Sequence, residues 1–138
     1  MIIRSFQEAD TEKVVELWED CSLTVPWNDP KKDIQRKRVV QSELFLVCEE
    51  GNRIIGSVMG GYDGHRGWLY YLAVHPNHRQ QKIGTLLVSE VEDRLKKRGC
   101  PKVNLMVRTG NSEVLSFYRR LGYQVDEVVG LGKRIIPD

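Results

Sequence analysis

The chain has 138 residues, 41% hydrophobic and 29% charged, with a formal net charge of +2. That length fits one domain, 1–138, with a real core, and a charge so near zero gives no argument for nucleic acid as a partner. No apolar run approaches bilayer-spanning length, and residues 1–6 read as a first strand and not as a signal peptide, so no membrane association is expected.

In chain order, a strand is expected over 2–6. Asp10 can cap a helix whose Val14, Leu17, Trp18 and Cys21 share one face. Trp27-Asn28-Asp29-Pro30 is a turn, with Asp29 as N-cap and Pro30 at the first helical position. The helix after it is basic (Lys31, Lys32, Arg36, Lys37, Arg38), which reads as a solvated face with a binding patch as the alternative. Strands are expected over 44–49 and 53–60, joined by the turn Glu50-Gly51-Asn52. A glycine-rich loop over 60–67 follows, then an apolar run over 68–74 suited to a central, buried strand.

In the second half, Ile83, Leu87, Val91 and Leu95 form an i, i+4 stripe that ends at Arg98-Gly99. A strand is expected over 102–107. Asn111 caps another helix with the apolar face Val114, Phe117, Tyr118 and Leu121, stopped by Gly122. Residues 123–136 hold two short strand-like runs around Gly130. Mixed strands and helices of this kind imply an α/β layer fold. Cys21, Cys48 and Cys100 have no metal-ligand or redox spacing, and they read as reduced residues of a cytoplasmic protein without a metal.

The most informative stretch is Tyr71-Leu72-Ala73-Val74-His75-Pro76-Asn77-His78-Arg79-Gln80-Gln81-Lys82-Ile83-Gly84-Thr85. It reads as a strand, a short polar turn and the first turn of a helix. Such a turn presents unpaired backbone N–H groups at the positive end of the helix dipole, where a phosphate group would sit.

Three segments resemble the GNAT-type acyl-CoA N-acyltransferases, most closely their small YpeA-like bacterial subgroup. Residues 71–76 followed by Arg79-Gln80-Gln81-Lys82-Ile83-Gly84 match the family's strand and pyrophosphate loop. Asn111 followed by Phe117-Tyr118 and Leu121-Gly122-Tyr123 matches its second signature. Pro26-Trp27-Asn28-Asp29-Pro30 and the glycine-rich segment 59–67 match the subgroup. The resemblance covers nearly the whole chain. It implies a mixed, mostly antiparallel central sheet flanked by helices, and transfer of an acetyl group from acetyl-CoA to a primary amine by direct attack in a ternary complex. The acceptor would be a small-molecule amine or a protein N-terminus.

The same resemblance assigns roles. The Leu72 N–H would hold the thioester carbonyl oxygen, and Ala73 and Val74 would line the pantetheine arm, Val74 as an added strand would. Arg79, Gln80, Gln81, Lys82, Ile83, Gly84 and Thr85 would hold the pyrophosphate, and Asn111 would touch the arm. Tyr118 would protonate the leaving thiolate; read from its stripe alone, it is a core aromatic.

Two departures stand out. Lys82 replaces the motif's first glycine, and Gln80 stands where glycine is common. Glycine lets backbone approach phosphate closely, so Lys82 is expected to serve if its backbone angle is ordinary, with its ammonium adding a phosphate contact. The second departure is Trp68, four residues before Leu72, where relatives often carry a glutamate base; no carboxylate lies in 68–74. Asp63, His65, or Glu49 acting through water, are the candidate bases, and His75 reads as a structural turn residue. Trp27, Asn28, Asp29 and Tyr70 are candidates for the acceptor cleft, with Trp27 as a core anchor the alternative. A rival reading follows from both departures: a non-catalytic CoA-binding or partner-binding module on the same fold.

Overall fold

Strands β1 (Ile2–Ser5), β2 (Phe45–Glu50), β3 (Arg53–Tyr62), β4 (Gly67–Val74) and β5 (Val103–Leu105) form one sheet in sequence order. The first four pair antiparallel and β5 joins β4 in parallel. The helices are α1 (Thr11–Asp20), α2 (Pro30–Arg38), α3 (Ile83–Lys97) and α4 (Ser112–Arg120). The computed structural model describes residues 1–138, apart from the side chain of Gln80. Two compact units divide the chain: Met1–Leu105 holds the sheet and α1 to α3, and Met106–Asp138 holds α4.

Period-two alternation along β3 sorts its residues between the sheet's two faces. Ser57 and Met59 face the layer of α1 and α2, where Val14, Leu17, Trp18 and Ile34 pack with Phe45 and Val47 of β2. Gly56 and Gly60 face α3. Its stripe Ile83, Leu87, Val91 and Leu95 is no more than 1% exposed. Each such side chain contributes about 1.5–3 kcal/mol of burial. Asp29 accepts hydrogen bonds from the Lys31 and Lys32 N–H groups, with Pro30 opening α2 as expected. Gly99, at φ +85°, follows the end of α3.

Several expectations change. Asp10 precedes α1, but its carboxylate does not cap that helix: it accepts from the Gln7 N–H and is gripped by both terminal nitrogens of Arg4, at 2.8 and 2.9 Å. Half of the glycine-rich segment is strand, not loop. Gly60, Gly61 and Tyr62 end β3 and Gly67 opens β4, leaving residues 63–66 for the turn. Two of those glycines serve close packing: a Cβ on Gly60 would lie 2.5 Å from Val91 Cγ2, and one on Gly67 2.9 Å from Cys100 Sγ. The basic face of α2 is not wholly solvated, because Lys37 is half-buried and burial pulls its ammonium below the usual lysine range.

β4 is neither central nor wholly buried. It is fourth of five strands, with Leu69 buried and Tyr70 46% exposed. β5 is shorter than expected and meets only Gly67, Trp68 and Leu69. Residues 123–138 contain bends but no strand, and Val125, Val128, Val129, Leu131, Ile135 and Ile136 are exposed. An apolar run makes a strand only where a partner receives its ladder, and strand propensity alone is too weak to supply one.

Candidate active site

The strand that carries the first motif is irregular where the chemistry was expected. The β3–β4 register passes from Ser57↔Ala73 to Met59↔Tyr70, so Val58 alone faces both Tyr71 and Leu72. This is a β-bulge. Tyr71 sits at φ +52°, a left-handed angle that is an outlier for so bulky a residue.

Beyond the bulge the strand is regular. The His75 N–H donates to the Ile55 carbonyl at 2.8 Å. Peptide groups alternate sides along a strand, so the N–H groups of Val74 and Leu72 point away from β3. They reach the β4 edge that β5, ending at Leu105 opposite Leu69, does not pair. The Val74 carbonyl on that edge accepts from the Cys21 thiol at 3.3 Å and from Arg79 Nε at 3.2 Å, which leaves its N–H as the group for strand-like pairing with a ligand. Ala73 is buried.

The turn that follows is a short 3-10 segment, Pro76–Gln81. His75 opens it by accepting from the Asn77 N–H at 3.2 Å, and its Nε2 lies 3.7 Å from Asp20, in keeping with a structural turn residue. Lys82 stands at the junction with α3 at φ +58° and ψ +23°. The backbone angle expected to be ordinary is left-handed, the conformation for which glycine is suited. The first helical bond of α3 runs from the Leu86 N–H to the Lys82 carbonyl. The N–H groups of Ile83, Gly84 and Thr85 therefore precede the first donor of the helix and have no acceptor within it. The Ile83 side chain is core, so only its backbone can meet a ligand. Arg79 and Gln81 are exposed on the turn, and Gln80, assigned to the same loop, has its side chain outside the described residues.

In the second unit, Asn111 caps α4 by accepting from the Val114 N–H at 3.3 Å, which leaves its amide NH₂ to reach a ligand. Tyr118 is 6% exposed and meets Phe117 and Tyr123 edge-on, with ring centroids 5.1 and 5.4 Å away. Burial pushes its phenol up to about 12, so it is a proton donor across the whole neutral range.

Of the candidate bases, Asp63 is weakened by its surroundings. Asp63 accepts from the N–H groups of Arg66 and His65 at 2.7 and 2.8 Å, and those bonds hold its carboxyl below the usual range. It shapes the β3–β4 turn, where His65 is exposed. Glu49 is bonded to Arg4. Trp27 is 60% exposed and so is not a core anchor, Asn28 is half-buried in the turn before α2, and burial raises the Tyr70 hydroxyl. One pairing had no sequence signal: the Tyr71 hydroxyl donates to Asp33 Oδ2 at 2.6 Å, across 38 residues, from the helix whose charges read as solvated.

A sequence model of the Acetyltransferase (GNAT) family matches residues 11–123. The chain belongs to the GNAT acetyltransferase family. It is 52% identical over its full length to an acetyltransferase of Yersinia enterocolitica, covering 98% of that relative. An acetyltransferase of Sodalis glossinidius is likewise 52% identical, with the whole chain and 98% of the relative aligned. Among solved structures, an aminoglycoside antibiotic 6'-N-acetyltransferase from Acinetobacter haemolyticus superposes with TM-score 0.75 at 21% identity, over 99% of this chain and all of that one. The ribosomal-protein-S18-alanine N-acetyltransferase of Escherichia coli gives 0.73 at 22%, over 88% and 76%. These two likenesses are of fold. As a GNAT member the chain is an acyltransferase, and acetyl-CoA is the family's donor.

Proposed function

We propose that this GNAT chain, 1–138, acts as one transferase domain that moves an acetyl group from acetyl-CoA to a primary amine with a low pKa. The observation that carries the reading is the bulge at Tyr71 and Leu72 beside an edge of β4 that β5 leaves unpaired, running directly into the turn and first N–H groups of α3. The carbonyl oxygen of the thioester takes the Leu72 N–H, the pantetheine arm lies along Val74, and the pyrophosphate meets the turn from Arg79 to Thr85. The amine lone pair forms the new N–C bond, the C–S bond breaks, and the Tyr118 phenol gives its proton to the leaving sulfur. The nitrogen's surplus proton goes to water. One aligned oxyanion donor is worth about 10²–10³ in rate, and a general acid about 10²–10⁴.

With no carboxylate on β4 and Asp63 spent on its own turn, the chain has weak means of deprotonating a strong amine. A lysine ε-amine has a pKa of about 10.4, whereas an α-amine sits near 7.7–8.0 and is substantially neutral already. α-Amines are therefore the preferred acceptors, of a small molecule or of a protein N-terminus. Two fold neighbours are named for an aminoglycoside, a small molecule, and for a ribosomal-protein alanine. Initial rates with an α-amine and with an Nα-blocked lysine, measured from pH 6 to 10, test this. The α-amine is expected to be faster at pH 7, with a rate that climbs through its own pKa and no loss from Tyr118, whose phenol titrates at about 12. Faster lysine acetylation at pH 7 with a flat profile would mean that a base is at work.

The missing carboxylate and the left-handed Lys82 favour a second reading, a CoA-binding module without transfer. It predicts acetyl-CoA binding with no amine-dependent release of thiol.

A further inference from the structure

We propose that Ser57 is the positioning residue for the Leu72 oxyanion donor, with Trp18 and Asp33 holding Ser57 and Tyr71 in place. The inference rests on the reading of Leu72 given above and adds the residues that aim it. A bulky residue in the left-handed region persists only where its surroundings over-determine it. Tyr71 is fixed at three points from three elements. The Trp18 indole of α1 stacks on its ring, centroids 3.7 Å apart and planes 9° from parallel. The Ser57 hydroxyl of β3 donates to its carbonyl at 2.8 Å. Its own hydroxyl donates to Asp33 of α2 at 2.6 Å.

The bond from Ser57 has a direct consequence for Leu72. The Tyr71 carbonyl and the Leu72 N–H belong to one peptide plane, and no cis peptide bond occurs among the described residues. In a trans peptide these two groups point in opposite directions. Holding the carbonyl toward Ser57 therefore holds the N–H away from it, toward the β4 edge that β5 leaves unpaired. Ser57 is itself immobilised, since its oxygen accepts from Trp18 Nε1 at 2.9 Å and both residues are wholly buried. Asp33 is tied in turn to Arg36 at 3.0 Å. Ser57 touches no reacting atom in this arrangement; it acts through the peptide.

Amide NMR on the full chain tests the idea without a known acceptor. In the unaltered protein the Leu72 amide resonance should differ between the acetyl-CoA and CoA complexes, because only acetyl-CoA carries the carbonyl. In Ser57→Ala that difference should fall by half or more, while CoA affinity holds within about twofold. Ser57→Thr, which keeps the hydroxyl, should restore it. With a reactive amine, kcat should drop about 10- to 100-fold at nearly constant KM for acetyl-CoA, the effect of a misaimed but present donor. Tyr71→Phe, which keeps the ring and removes the hydroxyl that bonds Asp33, should act in the same direction and carries the test if Ser57→Ala does not fold. Folded variants with an unchanged Leu72 response and unchanged kcat would overturn the proposal. An unaltered protein whose Leu72 amide does not distinguish the two ligands would overturn the reading of Leu72 itself.

Discussion

Lys82 is where a single residue conflicts most directly with its backbone. Lysine stands where the resemblance expects glycine, and its backbone is left-handed, at φ +58°. That conformation costs an L residue roughly 1–2 kcal/mol. Lys82→Gly should therefore raise stability, by about 1 kcal/mol once the added freedom of the unfolded chain is set against it. Thermal and denaturant melts check this, and a fall in stability would mean that the lysine side chain makes contacts that outweigh its angle. The sequence located this position but could not supply its angle. A substituted glycine leaves open whether the backbone has relaxed or has kept its shape around the new side chain. Asp10 shows a similar limit: its place before a helix reads as a cap, but Arg4 claims the carboxylate, and burial, which alone would raise its pKa, is outweighed by Arg4 and the Gln7 N–H.

Among the elements, α3 and β3 were the most legible, and the glycines between them the least. The stripe Ile83, Leu87, Val91 and Leu95 was read from its spacing and is the buried face of α3. Gly67 reads as loop, and Gly60 as the point where strand gives way to loop, because composition does not distinguish a glycine that turns from one that makes room. At Gly60 the room is taken by Val91. Gly60→Ala should destabilise the fold by about 1–3 kcal/mol through overpacking. Adding Val91→Ala should recover part of that loss, because the new methyl enters the space that the valine vacates. Additive losses in the double variant, measured by urea unfolding, would show that the two side chains do not compete. The bulge in β4 was also beyond reach of sequence. The residues that hold it, Trp18, Asp33 and Ser57, are dispersed over three elements and carry no motif.

For the whole molecule, the first motif's strand, turn and helix lie in sequence order in one unit, Asn111 caps the helix that carries Tyr118 in the other, and family membership spans both. Acetyl-CoA should stabilise the chain by about 2.7 kcal/mol at 100 times its dissociation constant, read as a rise in melting temperature. An unchanged melt at millimolar acetyl-CoA would count against the donor site. The acceptor is the least legible part. Trp27, Asn28, Asp63, His65 and Tyr70 lie on turns or a strand edge, where exposure alone does not select a partner. The most direct test of transfer is release of CoA thiol from acetyl-CoA across a panel of α-amines, with the unaltered chain and with Tyr118→Phe. Amine-dependent release that falls by about 10²-fold or more in Tyr118→Phe, with acetyl-CoA binding retained, is the predicted result. Binding of acetyl-CoA with no amine-dependent release, or full release by Tyr118→Phe, would contradict it.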